Sequence, residues 1–125
     1  MKIKDSKIQL KESQIQKQVI NYLSLLENTG RLFFFRAGSG FIKISNTKGK
    51  DRFFKTGKAG CPDIVCCYKG YFLGLEIKTQ KGKQSNHQKN VQKRIEQNGG
   101  KYFIVRDIND VEYILENINR NDLIV

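Results

Sequence analysis

The chain is short of the residues that commonly staple a small protein: it has three cysteines, one histidine and one proline. Cys61, Cys66 and Cys67 are odd in number, and two are adjacent. Neighbours on a strand point to opposite faces, so no disulfide framework is indicated. No CxxC spacing occurs, and with His87 alone the ligand count is wrong for a structural zinc site. Reduced cysteines packed as small apolar residues are expected instead. Apolar runs are short as well. None approaches the length of a membrane span, and no charged-then-apolar signal segment opens the sequence, so a soluble, cytoplasmic protein is expected. Acidic residues are also scarce: 12 Asp and Glu face 23 Lys and Arg, a net charge of +11. An excess of that size on a small domain points to a polyanionic partner, nucleic acid first. An anionic membrane would call for an amphipathic helix with a lysine-rich polar face, whereas the basic residues here are spread along the chain.

The 125 residues are enough for one hydrophobic core and too few for two, so a single domain spanning 1–125 is expected. From about Gln9 to Asn28, Ile15, Val19, Tyr22, Leu23 and Leu26 recur at helical spacing, and Gly30 closes the segment. Leu32-Phe33-Phe34-Phe35 reads as a buried strand, and a second short strand follows around Phe41 to Ile44. Residues 46–60 hold three glycines among Lys48, Lys50, Arg52, Lys55 and Lys58, and read as a basic, mobile loop. Ser85 begins a second helix, with Val91 and Ile95 on one face, which ends at Gly99-Gly100. Tyr102 to Val105 is a strand, and a last helix buries Ile108, Val111, Leu115 and Ile118. Helices packed on a mixed sheet, an α/β class, follow from that order.

Between these segments lie two strand-like runs, Asp63 to Tyr68 and Tyr71 to Lys78, separated only by Lys69-Gly70. A two-residue connection ending in glycine is a hairpin signal, and it fixes the register. If Tyr68 pairs with Tyr71, Asp63 stands opposite Glu76, with the β-carbons about 5 Å apart. Alternation puts Lys78 on the face of Glu76. Two facing carboxylates destabilise a sheet unless something positive lies between them. Lys78 fills that role in part, and a divalent cation such as Mg²⁺ fills it better. The bland alternative is a surface hairpin whose charges face solvent, but the surrounding runs are apolar on both faces and read as interior strands. Pro62 suits the first position of a strand, and Gly60 permits the sharp bend before it.

Gly60-Cys61-Pro62-Asp63 followed by Glu76-Ile77-Lys78 resembles the PD-(D/E)xK nuclease motif. The form G-x-P-D then E-x-K is similar to that of the virus-type replication-repair nuclease (VRR-NUC) family. The likeness takes in Glu12 on an early helix and Gln88 at the start of a later one, so it spans roughly Glu12 to Arg106. It implies a restriction-endonuclease-like fold, with a central mixed β-sheet flanked by helices. It also implies a catalytic set of Asp63, Glu76, Lys78, Glu12 and Gln88. Metal would be held by Asp63, Glu76, Glu12 and the backbone carbonyl of Ile77. Mg²⁺ is the expected cofactor, Mn²⁺ a substitute, and no small-molecule cofactor is called for. Stand-alone members are bacterial or phage proteins, and the likeness implies a homodimer cutting branched DNA such as four-way (Holliday) junctions.

Glu12 shares a helix face with Ile15 and Val19, although a first-turn glutamate is also favoured by the helix dipole. Ser85 and Gln88 form a capping box, which alone explains both. His87 reads as an exposed first-turn residue. Lys48, Lys50, Arg52, Lys55, Lys58, Lys81, Lys83 and Arg36 are the candidates for holding the DNA backbone, with Arg106 a further one. Two alternatives stay open: a nickase or restriction-like enzyme on plain duplex, and a non-catalytic DNA-binding protein on a nuclease scaffold.

Overall fold

The computed structural model describes residues 9–38 and 40–118; the side chains of residues 40–42, 55 and 56 lie outside that description. The chain runs α1 (Glu12–Asn28), β1 (Phe33–Arg36), β2 (Gly40–Ser45), β3 (Asp51–Thr56), β4 (Ile64–Tyr68), β5 (Tyr71–Ile77), α2 (Asn86–Gln97), β6 (Lys101–Val105) and α3 (Ile108–Asn117). A four-stranded sheet has the order β1-β4-β5-β6, while β2 and β3 pair only with each other. β1, β4 and β5 are antiparallel and β6 joins β5 in parallel, so the sheet is mixed. Among the described residues, no helix is long and apolar enough to cross a membrane.

The β4–β5 hairpin has the register that its two-residue connection dictates. Tyr68 pairs with Tyr71 and Ile64 with Leu75. Lys69 and Gly70 both adopt positive φ, 50° and 84°, as a type I′ turn demands. Its twist matches that of the strands, which offsets the roughly 1–2 kcal/mol a non-glycine residue loses in the left-handed region.

One face of the sheet carries the core. Ile15, Val19 and Leu23 of α1 and Val111, Ile114 and Leu115 of α3 pack on Ile64, Cys66, Leu73, Leu75, Ile77, Phe103 and Val105. Each such side chain contributes roughly 1.5–3 kcal/mol of burial. Burial also pushes the Cys66 thiol up to about 12, so it behaves as a small apolar residue. Among the described residues, the helix on the opposite face is α2, which has no fully buried residue; Val91 and Ile95 are half-buried.

Two expectations are corrected here. Phe33 and Phe35 are not core residues: they are 60% and 49% exposed, because β1 is an edge strand whose outer face no helix covers among the described residues. Residues 46–60 are not a continuous loop. Their middle is strand β3, which pairs with β2 from Gly40↔Thr56 to Ser45↔Asp51 as a two-stranded ribbon. Only the turn 46–50 and the segment 57–60 are irregular.

Candidate active site

Chain geometry at the start of β4 determines where Asp63 lies. Gly60 has φ 83°, and a Cβ there would fall 2.4 Å from the carbonyl oxygen of His87. Only glycine lets the chain pass that close to the first turn of α2. Pro62 then lies over Gly74, where a Cβ would meet its Cγ at 2.8 Å. These two glycines lock the 60–63 turn between α2 and β5. Asp63 emerges at the mouth of the sheet, its Oδ2 accepting a hydrogen bond from the Ile77 N–H at 2.8 Å. Its carbonyl accepts from the Ala37 N–H at the end of β1.

Among the described residues, Glu76 is the one buried charged residue, at 2% exposure. Its Oε2 accepts from the Tyr102 hydroxyl at 3.2 Å, and its Oε1 lies 4.0 Å from the Lys78 Nζ. Burial, followed by a hydrogen bond to Asp63 and that residue's charge, pushes the Glu76 carboxyl up to about 8, although Lys78 and Tyr102 pull the other way. Burial likewise raises Tyr102, despite a hydrogen bond with Gln84. Without a cation, then, Glu76 holds its proton at neutral pH.

The third carboxylate comes from α1. Oxygens of Glu12, Asp63 and Glu76 all lie within 4.8 Å of one another. Glu12 reaches them from the first position of the helix, so the positive end of the α1 dipole faces the cluster. It remains exposed and does not point into the core, because the helix begins where the sheet ends. Three converging oxygen donors, one of them buried and protonated for want of positive charge, fit a hard divalent cation. A pocket of about 730 Å³ beneath α2, with Pro62, Phe72 and Ile95 in its lining, contains none of the three.

The structure thus brings together Glu12, Asp63, Glu76 and Lys78, and Ile77 joins them through its N–H. Gln88 is engaged elsewhere: its Oε1 accepts from the Ser85 N–H at 2.8 Å, and its own N–H donates to the Ser85 hydroxyl. His87 is exposed, and its carbonyl packs against Gly60. Arg36, Lys58, Lys81 and Lys83 are exposed, as are Lys48, Lys50 and Arg52 on the ribbon; the Lys55 side chain lies outside the described residues. The Arg106 guanidinium donates through Nη1 to the carbonyls of Thr79, Gln80 and Gly82. It shapes the link that carries Lys81 and Lys83. Sequence reasoning missed Tyr102 and Gln84. Tyr102 pairs with Gly74 and sits on the face of Glu76, a position set by the parallel pairing of β5 with β6. No spacing in the sequence announces that pairing.

Solved structures with this architecture include a VRR_NUC domain, superimposed with a TM-score of 0.55 over 84% of this chain and 94% of that one, at 20% identity. The chain therefore has the PD-(D/E)xK, restriction-endonuclease-like fold. No protein-family model matches the sequence, and no curated protein does.

Proposed function

We propose that this protein is a metal-dependent endonuclease that hydrolyses phosphodiester bonds in branched DNA, four-way junctions among them, as a homodimer. The observation that carries the proposal is the convergence of Glu12, Asp63 and Glu76 beside Lys78. A net charge of +11 supplies the attraction for a polyphosphate. The shared fold with a VRR_NUC domain supports the reading.

Asp63, Glu76 and Glu12 would hold Mg²⁺ or Mn²⁺, with the Ile77 carbonyl as a further ligand. When bound, such an ion supplies Lewis-acid activation of the phosphate and a bound water of lowered pKa. The chain's own groups do the rest. Glu76 gives up its proton as the site fills, and the Tyr102 hydroxyl holds the resulting carboxylate in place. The Ile77 N–H fixes Asp63. Lys78 orients the attacking water and stabilises charge developing on the phosphate oxygens. Arg36, Lys81 and Lys83 hold the flanking backbone without reading bases. Two such sites in a symmetric dimer place paired cuts.

A cleavage panel tests this: four-way junction, flap, single strand and linear duplex, each with Mg²⁺, Mn²⁺ or chelator, alongside sedimentation of the free protein. The expected result is a dimer that cuts the junction in paired positions, with metal, faster than the duplex of equal sequence. Equal rates on junction and duplex would favour a duplex nickase. Binding without cutting under every metal condition would overturn the enzymatic reading and leave a DNA-binding scaffold.

A further inference from the structure

Among the described residues, strands β2 and β3 form a ribbon whose extensive contacts are between its own two strands. A lone two-stranded hairpin is marginal in water, and this one does not hide its apolar side chains. Phe53 is 64% exposed, Phe54 48% and Ile44 50%. Paired residues share a face and successive ones alternate. Phe53 therefore stands with Lys43 on one face, while Phe54 stands with Arg52 and Ile44 on the other. The tip is hydrogen-bonded: the Asn46 side-chain oxygen accepts from the Lys48 and Lys50 N–H groups, each at 3.0 Å. Six basic residues lie between Gly40 and Gly60, against Asp51 alone. Asp51 is taken up by Lys43 at 3.3 Å and by the Ser45 hydroxyl.

Exposed aromatics interleaved with cations are the composition of surfaces that hold single-stranded nucleic acid, where rings stack on bases and cations track the backbone. A membrane would want the apolar groups on one face, and here the phenylalanines project from both. A second copy would bring an equally cationic ribbon, and like charges repel. We propose that the β2–β3 ribbon is a single-strand-binding arm, in which Phe53 and Phe54 stack on unpaired DNA bases while Lys48, Lys50 and Arg52 hold the adjoining phosphates. The proposal rests on DNA being the substrate. It makes unstacked bases, such as those at a branch point, the feature that the arm engages.

The chain contains no tryptophan, so Phe53→Trp introduces a single indole reporter. The full chain is titrated in chelator, where no metal-dependent cutting occurs, with oligothymidylate and with a blunt duplex. The expected result is quenching of the indole by oligothymidylate. Phe53→Ala/Phe54→Ala, and separately Phe53→Leu/Phe54→Leu, should weaken oligothymidylate binding roughly 10- to 100-fold and duplex binding by less than about threefold. The leucine pair keeps apolar area and removes the rings, and an unchanged melting temperature shows that the fold is kept. No quenching, or equal losses on both DNAs, would overturn the proposal. So would conversion of a dimer to a monomer by the leucine pair, which would assign the ribbon to a second copy. Metal-dependent cutting of a four-way junction, measured in parallel, separates the two readings: its persistence with no stacking rejects the arm alone, and its absence with stacking intact rejects the nuclease alone.

Discussion

Glu76→Gln should make the metal-free protein more stable at alkaline pH. Glu76 is 2% exposed, and its carboxyl is pushed from an ordinary 4.5 to about 8 by burial and by Asp63. Between those values the folded protein binds a proton that the unfolded chain does not, so stability falls as pH rises through that window. At about 1.36 kcal/mol per pH step, the full penalty above pH 8 has an upper bound of about 5 kcal/mol. Relaxation and water entry at a buried charge lower this, and the observed difference should be roughly 2–4 kcal/mol. Glutamine has the same shape, can still accept from the Tyr102 hydroxyl, and carries no charge. Urea unfolding in chelator at a series of pH values should show the variant more stable than the parent near pH 9 and equal to it near pH 4. Added Mg²⁺ should reverse the order, by stabilising the parent through its three carboxylates and the variant much less. If the variant is no more stable than the parent at pH 9, then Glu76 is not held in the low-polarity setting described here.

Lys78→Ala should reduce cleavage roughly 10²- to 10⁴-fold while leaving the Kd for DNA within about threefold, as single-turnover and binding assays would show. Tyr102→Phe removes the hydroxyl that favours ionised Glu76. It should weaken Mn²⁺ binding roughly tenfold by calorimetry, whereas a purely structural tyrosine would move the melting temperature and leave metal affinity alone. Gly60→Ala, strained at φ 83° and colliding with His87, should destabilise the fold by roughly 1–3 kcal/mol in denaturant titrations.

The hairpin register that brings Asp63 near Glu76 was legible in the sequence because a two-residue connection leaves few alternatives, and Lys69-Gly70 can take the positive φ values required. Ser85 and Gln88 were legible for a similar reason, since a capping box is a purely local hydrogen-bond pattern. Tyr102 and Gln84 were not. Tyr102 reaches Glu76 through a crossover connection whose pairing is decided by packing across the whole sheet, and Gln84 meets the site through Tyr102. Phe33 and Phe35 were misread because apolar composition reports strand propensity and not whether anything covers the strand. The β3 strand was hidden by glycines that serve the turn at Gly49 and the chain's exit at Gly57, on either side of a regular ribbon. Glu12 lay between these cases: the helix was evident, but the position of its first residue at the mouth of the sheet depends on α1 packing against β1 and β5.

The most direct test of the metal-dependent centre is the hydrolysis of supercoiled plasmid DNA by the purified chain, its Asp63→Asn variant and its Lys78→Ala variant, with Mg²⁺ or with chelator. The carboxylate cluster predicts nicked and linear products from the parent with Mg²⁺ alone, and none above background from either variant. Cutting that persists in chelator, or that survives Asp63→Asn at the parent's rate, would contradict it.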